Sequence, residues 1–295
     1  MSDLYRRLKA MKEKRPTSPT ESARDVHSDG DEPSGGGPPV PEGFELRGGV
    51  FVRREIVPFE DILGSARLLS PEEGVHLPLR LGARGGGPGS VTGRRAPPAA
   101  RPAGAHLFFD LEATGLSTGA GSVAFLLGLG NLSPAGFELV QWLLPDYPYE
   151  PELLHAFLES IEEARERWGE VTVVSYNGRS FDTPLLRTRM LMNGLRFEEF
   201  PELDLLPVSR RLWRRSLPSC SLGEIEQRVL RVRRELDIPG AWVPLRYFAF
   251  LEERRPELLR EVVEHHRQDI ISLYALLSLL EELMRGETGR MEELR

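Results

Sequence analysis

The 295-residue sequence predicts an α/β domain, a mixed sheet flanked by helices, behind a largely disordered N-terminal extension. Three observations carry this expectation. The segments HLFFDLE, SVAFLLGLG and GFELVQWLL read as successive strands joined by glycine-containing turns. After them the periodicity switches to helix, short strand and a run of helices. Ahead of them lie two tracts too rich in proline and glycine to bury a core.

In chain order, Leu4, Leu8 and Met11 recur at helical spacing among basic residues, the pattern of a short amphipathic arm that needs a partner protein or a surface to rest on. Thr17 to Glu42 holds nine Pro or Gly residues in 26, so residues 1–42 read as an arm and a disordered linker. In GFELRGGVFVRREIVP, Gly48-Gly49 between two apolar runs is a two-residue hairpin signal, so residues 43–83 form a small element expected to pack on the main domain. Arg84 to Gly104 has ten Pro or Gly residues in 21, a second linker over 84–104. The main domain is expected over 105–287, with a tail at 288–295. Within it, Glu152 to Trp168 has the pattern of an amphipathic helix and VTVVSYN that of a buried strand. Thr183 to Asn193, Leu205 to Arg215, Ser221 to Leu230 and Pro256 to Arg285 are predicted helices.

A net charge of −7 excludes a protein that coats nucleic acid by bulk attraction. Locally the balance reverses: Leu205 to Arg234 carries eight arginines against Glu224 and Glu226. The apolar runs are too short to span a bilayer, and the charged opening MSDLYRRLKAMKEKRP lacks the apolar core of a secretory signal, so a cytoplasmic location is expected. The single cysteine, Cys220, excludes an intramolecular disulfide and a Cys-rich zinc site, and reads as a small packed residue.

Acidic residues interrupt three apolar elements. Strand alternation in HLFFDLE puts Phe108, Asp110 and Glu112 on one face and Leu107, Phe109 and Leu111 on the other. Two carboxylates sharing a buried face are costly unless a cation is supplied; a solvent-facing strand end is the alternative. Asp182 follows the strand ending at Asn177-Gly178 and precedes Thr183-Pro184, where it suits a helix N-cap as well as a ligand. Asp269 lies on the apolar stripe through Val262, Leu273, Leu276 and Leu280, with His265 four residues earlier on the same face and His266 directed sideways. On the helix alone, a buried His and Asp pair satisfying each other is the simpler reading. Four carboxylates with no lysine or cysteine nearby suit two hard divalent cations, magnesium or manganese.

The segments FFDLEATGL, YNGRSFDTPLL and HHRQDIISL resemble the three motifs of DEDD-type exonucleases of the ribonuclease H-like superfamily, over about Ala105 to Arg285. Within that superfamily the sequence is most similar to the YprB-like bacterial branch, and its second motif also resembles that of family B polymerase proofreading domains. The resemblance implies a ribonuclease H-like fold with a two-metal site held by Asp110, Glu112, Asp182 and Asp269. It gives His265 the task of deprotonating or orienting the attacking water, although His265 stands where the tyrosine subclass has its tyrosine. It implies a metal-dependent nuclease, a 3′ to 5′ exonuclease acting on single-stranded or frayed ends of DNA or RNA. Thr114 and Gly115 would approach the terminal nucleotide, with Asn177 and Phe181 near the strand being cut. Arg210, Arg211 and Arg214 would contact backbone phosphates while Trp213 stacks on a base, with a solvated helix surface as the alternative. The competing functions are a catalytically silent nucleic-acid-binding or scaffold module and a structure-specific endonuclease.

Overall fold

The computed structural model describes residues 39–62, 68–70, 73–75 and 101–286 apart from 116, 235 and 237. The N-terminal arm, nearly all of the two linkers and the C-terminal tail lie outside the described residues.

Seven strands form one sheet in the order β1 (Glu45–Arg47), β2 (Val50–Val57), β7 (Gly136–Leu143), β6 (Ala124–Ser133), β5 (His106–Ala113), β8 (Thr172–Ser175), β9 (Glu202–Asp204). The edge hairpin pairs β1 (Glu45–Arg47) with β2 (Val50–Val57), and Gly48 and Gly49 both take positive φ (+54° and +87°), as a two-residue loop matched to strand twist requires. This hairpin does more than pack on the main domain. β2 pairs antiparallel with β7 (Gly136–Leu143) from Phe51↔Leu143 to Val57↔Phe137, so residues 45–57 supply two strands of the main sheet. β3 (Gly74–Val75) and β4 (Arg101–Pro102) form a separate two-stranded ribbon.

At the centre lie the three predicted strands: β5 (His106–Ala113), β6 (Ala124–Ser133) and β7, each antiparallel to the next. β8 (Thr172–Ser175) and β9 (Glu202–Asp204) then add parallel to β5. β9 is missing from the sequence-based expectation because it is only three residues long and two of them are acidic. The carboxyl ends of β5, β8 and β9 point the same way, toward the position where sheets of this kind bind ligands.

Each face of β5 buries its own core. Leu107, Phe109 and Leu111 belong to the cluster built with α1 (Glu150–Trp168) through Leu153, Leu154, Phe157 and Ile161. Phe108 belongs to the opposite cluster with Ile270, Leu273 and Tyr274 of the final helix. α2 (Asp182–Met192) packs in the α1-side core, while α3 (Leu205–Trp213) and the short α4 (Leu222–Ile225), which continues into one π-helical turn over Glu226–Leu230, pack in the opposite one. α5 (Val243–Glu253), not anticipated from the sequence, stacks Tyr247 on Phe125 at 4.1 Å between ring centroids. α6 (Arg260–Arg285) crosses the sheet over β6 at Gly128, where a Cβ would overlap Ile270 Cδ1 and His266 Cε1. Gly128 faces Asp110 in the β5–β6 register, so the close approach that this glycine permits brings α6 down beside Asp110. Among the described residues no helix is long and apolar enough to cross a membrane.

Candidate functional site

β5 delivers Asp110 and Glu112 from the face opposite Phe109, toward α6, as alternation requires. The β5–β6 register shifts between Glu112 and Ala113, so regular pairing is interrupted just after Glu112. α6 brings Asp269 and His265. Ligand atoms of Glu112, His265 and Asp269 all lie within 4.8 Å of one another. Asp110 and Asp182 stand outside that group of three but share its field: Asp269 and Asp182 both act on Asp110 and Glu112.

The electrostatics are those of a pocket with too few positive charges. Burial, then Asp269, Asp182 and Glu112, hold the Asp110 carboxyl well above the usual carboxylate range, and Glu112 is raised by burial, Asp269 and Asp182. Burial followed by Glu202, Asp204 and Asp269 pushes Asp182 up to about 8. Asp110 nevertheless keeps 19% of its side chain exposed, so the site is open to solvent on one side.

Asp182 does not cap its helix. It is the first residue of α2, the N-cap is Phe181, and no side chain closes that end. What holds this corner is a network that the motifs do not reveal. Glu202 accepts from Ser175 Oγ at 2.6 Å and from Thr183 Oγ1 at 3.0 Å. Asp204 accepts from the backbone N–H of Asn177 at 2.8 Å while capping α3 through Leu206 N. Asn177 is exposed with φ +68°, so its placement beside the site depends on this anchor. The sequence signal is present in PELDLL, where Glu202 and Asp204 alternate around Leu203 as Asp110 and Glu112 do around Leu111.

His266 is fully buried, not directed sideways. Its Nδ1 lies 2.9 Å from Gln141 Nε2, and its Nε2 lies 3.1 Å from the Asp110 carbonyl oxygen. An amide nitrogen only donates and a carbonyl only accepts, so the ring is neutral with its proton on Nε2, in keeping with burial pushing its pKa down to about 4. His266 therefore fastens α6 to β5 at Asp110. It stands four residues after Val262 and four before Ile270, a spacing that already sets it on the apolar stripe. His265 is different: Nδ1 is 2.8 Å from Arg234 Nη1, and Nε2 is 3.5 Å from Asp269 Oδ2. The guanidinium only donates, so Nδ1 accepts and the proton of the neutral ring sits on Nε2, facing Asp269. In the sequence Arg234 is one member of the basic tract, yet in the fold it also donates to Asp269 and to Glu226.

The remaining expected contacts fare unevenly. Thr114 spends its Oγ1 and its N–H on Val123, closing the loop after β5, and Gly115 lies against Ser122 in that loop. Phe181 is half-buried against the α1-side core. Arg210, Arg211 and Arg214 are exposed on α3 and just beyond it, toward the end away from Asp204. Trp213 is only 4% exposed and packs in the α6-side core, so it is not available to stack on a base; the helix turns its indole inward and its arginines outward.

An oxygen-rich donor set with surplus negative charge fits a divalent cation, and the carboxylates of Glu112 and Asp269 meet within 4.8 Å, whereas His265 already spends its Nδ1 lone pair on Arg234. A cavity of about 770 Å³ opens beside it, lined by Glu226, Arg233, Arg234, Ile238, His265 and Asp269 among others.

A family model described as the RNase_H superfamily matches residues 107–281. The chain is 35% identical to YprB of Bacillus subtilis (strain 168), described as an uncharacterized protein, over 189 residues, which are 63% of this chain and 44% of YprB. Solved structures similar to it include the family B DNA polymerase of Pyrobaculum calidifontis, at TM-score 0.46 and 17% identity, covering 61% of this chain and 24% of the polymerase. Exonuclease I of E. coli, in complex with a dT13 oligonucleotide, is similar at TM-score 0.36 and 15% identity, covering 64% of this chain and 44% of the exonuclease. The chain spans less than half the length of each of these three proteins. With its mixed seven-stranded sheet and the match across β5 to α6, the chain belongs to the RNase H superfamily and is YprB-like within it.

Proposed function

We propose that this protein is a metal-dependent nuclease, a 3′ to 5′ exonuclease whose site is formed by Asp110, Glu112, Asp182 and Asp269. The observation that carries the reading is the meeting of Glu112, His265 and Asp269 within 4.8 Å, from a strand and a helix distant in sequence, beside Asp110 and Asp182, whose pKa values burial and neighbouring acids raise. The four carboxylates would hold two magnesium or manganese ions, which when bound activate water and stabilise the leaving oxygen of a phosphodiester. His265, with its Nε2 proton facing Asp269, orients that carboxylate and the water next to it. His266 keeps Asp110 in register from behind, and the Glu202 and Asp204 network fixes the turn before Asp182. Asn177, Phe181, Thr114 and Gly115 line the approach of the chain end, and Arg210, Arg211 and Arg214 supply phosphate contacts farther out.

Incubating the protein with 5′-labelled DNA and RNA oligonucleotides in magnesium, manganese or chelator tests chemistry, sugar preference and polarity together. The expected result is metal-stimulated shortening from the 3′ end that Asp110→Asn and Asp269→Asn abolish. Robust cleavage by either purified variant would remove the site assignment, and opening of a circular single strand would make the enzyme an endonuclease. One observation favours the silent-module reading: a guanidinium already contacts Asp269. Absence of manganese binding, together with salt-sensitive oligonucleotide binding, would decide for it.

A further inference from the structure

Arg234 is a cation built into an acidic pocket. Its Nε and Nη2 fork onto Glu226 at 2.6 and 2.9 Å, Nη2 also donates to Asp269, and Nη1 donates to His265 Nδ1 at 2.8 Å. The Arg234 and Glu226 side chains are 9% and 2% exposed, so the contacts form where screening by water is weak. Burial works against the guanidinium charge, and Asp269 and Glu226 outweigh it. The backbone is shaped for this meeting. Glu226 opens the π-helical turn, Arg231 takes the left-handed conformation at φ +62°, and Val232 N returns to Glu226 O at 2.9 Å, so the chain reverses and residues 226 and 234 face each other. The influence of Arg234 extends past its contacts: it also opposes the charge repulsion felt by Asp110 and Glu112.

Resting on the metal-site reading above, we propose that Arg234 is an exchangeable counter-cation that compensates Asp269 in the metal-free protein, yields that carboxylate to an incoming divalent ion and stays paired on Glu226. The two partners make the exchange feasible. A guanidinium cannot lose its charge by deprotonation, so an Arg displaced from Asp269 needs a second anion at hand, and the fork on Glu226 does not depend on Asp269. Glu226 is thus a positioning residue that acts on the site through Arg234. A cation entering the pocket has to outcompete a guanidinium for Asp269, which sets a threshold against weakly binding ions.

Calorimetric titration of manganese into the full chain without nucleic acid tests the idea on wild type, Arg234→Gln, Arg234→Lys and Glu226→Gln. Arg234→Gln should bind manganese roughly tenfold tighter, the order expected when one competing charge at contact distance is removed. Arg234→Lys should also bind more tightly, because a compact ammonium lacks the planar fork that holds Glu226 through Nε and Nη2 while Nη2 reaches Asp269. Glu226→Gln should bind more weakly, since it turns the guanidinium toward the acids of the site. Unchanged or weaker binding by Arg234→Gln overturns the proposal. So does a lysine variant that matches wild type while the glutamine variant binds tighter, because net charge alone would then explain the result. If Arg234→Gln does not fold, the lysine and Glu226→Gln variants carry the same test with opposite expected signs. Wild type that binds no manganese removes the metal-site reading itself, whereas wild-type binding with the wrong order among the variants removes only the exchange.

Discussion

Two buried arginine networks in this protein differ in charge balance. Arg189 on α2 pairs with Glu150 at the start of α1 through two hydrogen bonds, Glu150 also accepts from Asn193 Nδ2 at 3.0 Å, and Arg189 Nη1 reaches the Ala120 carbonyl at 3.0 Å. One cation meets one anion, both side chains are under a tenth exposed, and neutral groups take up the remaining hydrogen-bonding capacity. At the other network Arg234 shares Glu226 and Asp269, and Asp182 and Asp269 raise the pKa of both Asp110 and Glu112. The first network joins two helices. The second gathers carboxylates that burial and mutual repulsion make unfavourable, an arrangement that suits a cation.

The largest effect is expected where the balanced network is broken. Glu150→Gln should cost about 3 to 5 kcal/mol by leaving Arg189 buried without its anion, read from the urea midpoint. Gly128→Ala should cost about 1 to 3 kcal/mol, because a methyl group there pushes against His266 and Ile270 of α6. It should also weaken manganese binding, which a pure packing defect remote from Asp110 would leave intact. Asp110→Asn should reverse the sign seen at Glu150: removing one of several mutually repelling carboxylates is expected to stabilise the metal-free fold by roughly 1 kcal/mol while abolishing the manganese-induced rise in Tm. A metal-free Asp110→Asn protein that melts lower than wild type would erase the contrast between the two networks. The smallest change in stability, within about 0.5 kcal/mol, is expected for Arg210→Ala, Arg211→Ala and Arg214→Ala combined, since all three are exposed. The same triple variant should flatten the salt dependence of single-stranded oligonucleotide binding, by about 0.7 in log–log slope for each phosphate that is no longer neutralised.

Much of the scaffold is legible in the sequence. β5, β6 and β7 are long apolar runs punctuated by glycine, and the α1 and α6 stripes repeat often enough to fix their inward faces. Asp110, Glu112 and Asp269 are legible for a related reason: a carboxylate inside an apolar pattern contradicts its surroundings. β9, by contrast, is three residues whose acids resemble a loop until β8 pairs with them. Trp213 and its arginine neighbours share one tract, and only the packing of α3 shows which of them points inward.

The residue pattern alone was sufficient for whatever depends on near neighbours in the chain: alternation along β5, the turn at Gly48-Gly49, and the acidic positions on strand and helix. The tertiary fold decided every matter of partnership. It turned the adjacent histidines to different tasks, the buried His266 against the Asp110 backbone and His265 between Arg234 and Asp269. It also drew Arg234 out of a tract of chemically identical arginines and set it against Glu226 and Asp269. Periodicity is a property of the backbone and can be read along the sequence. A charge acquires its energy from groups brought near it by folding, and those lie up to 212 positions away, from Glu55 to Arg267.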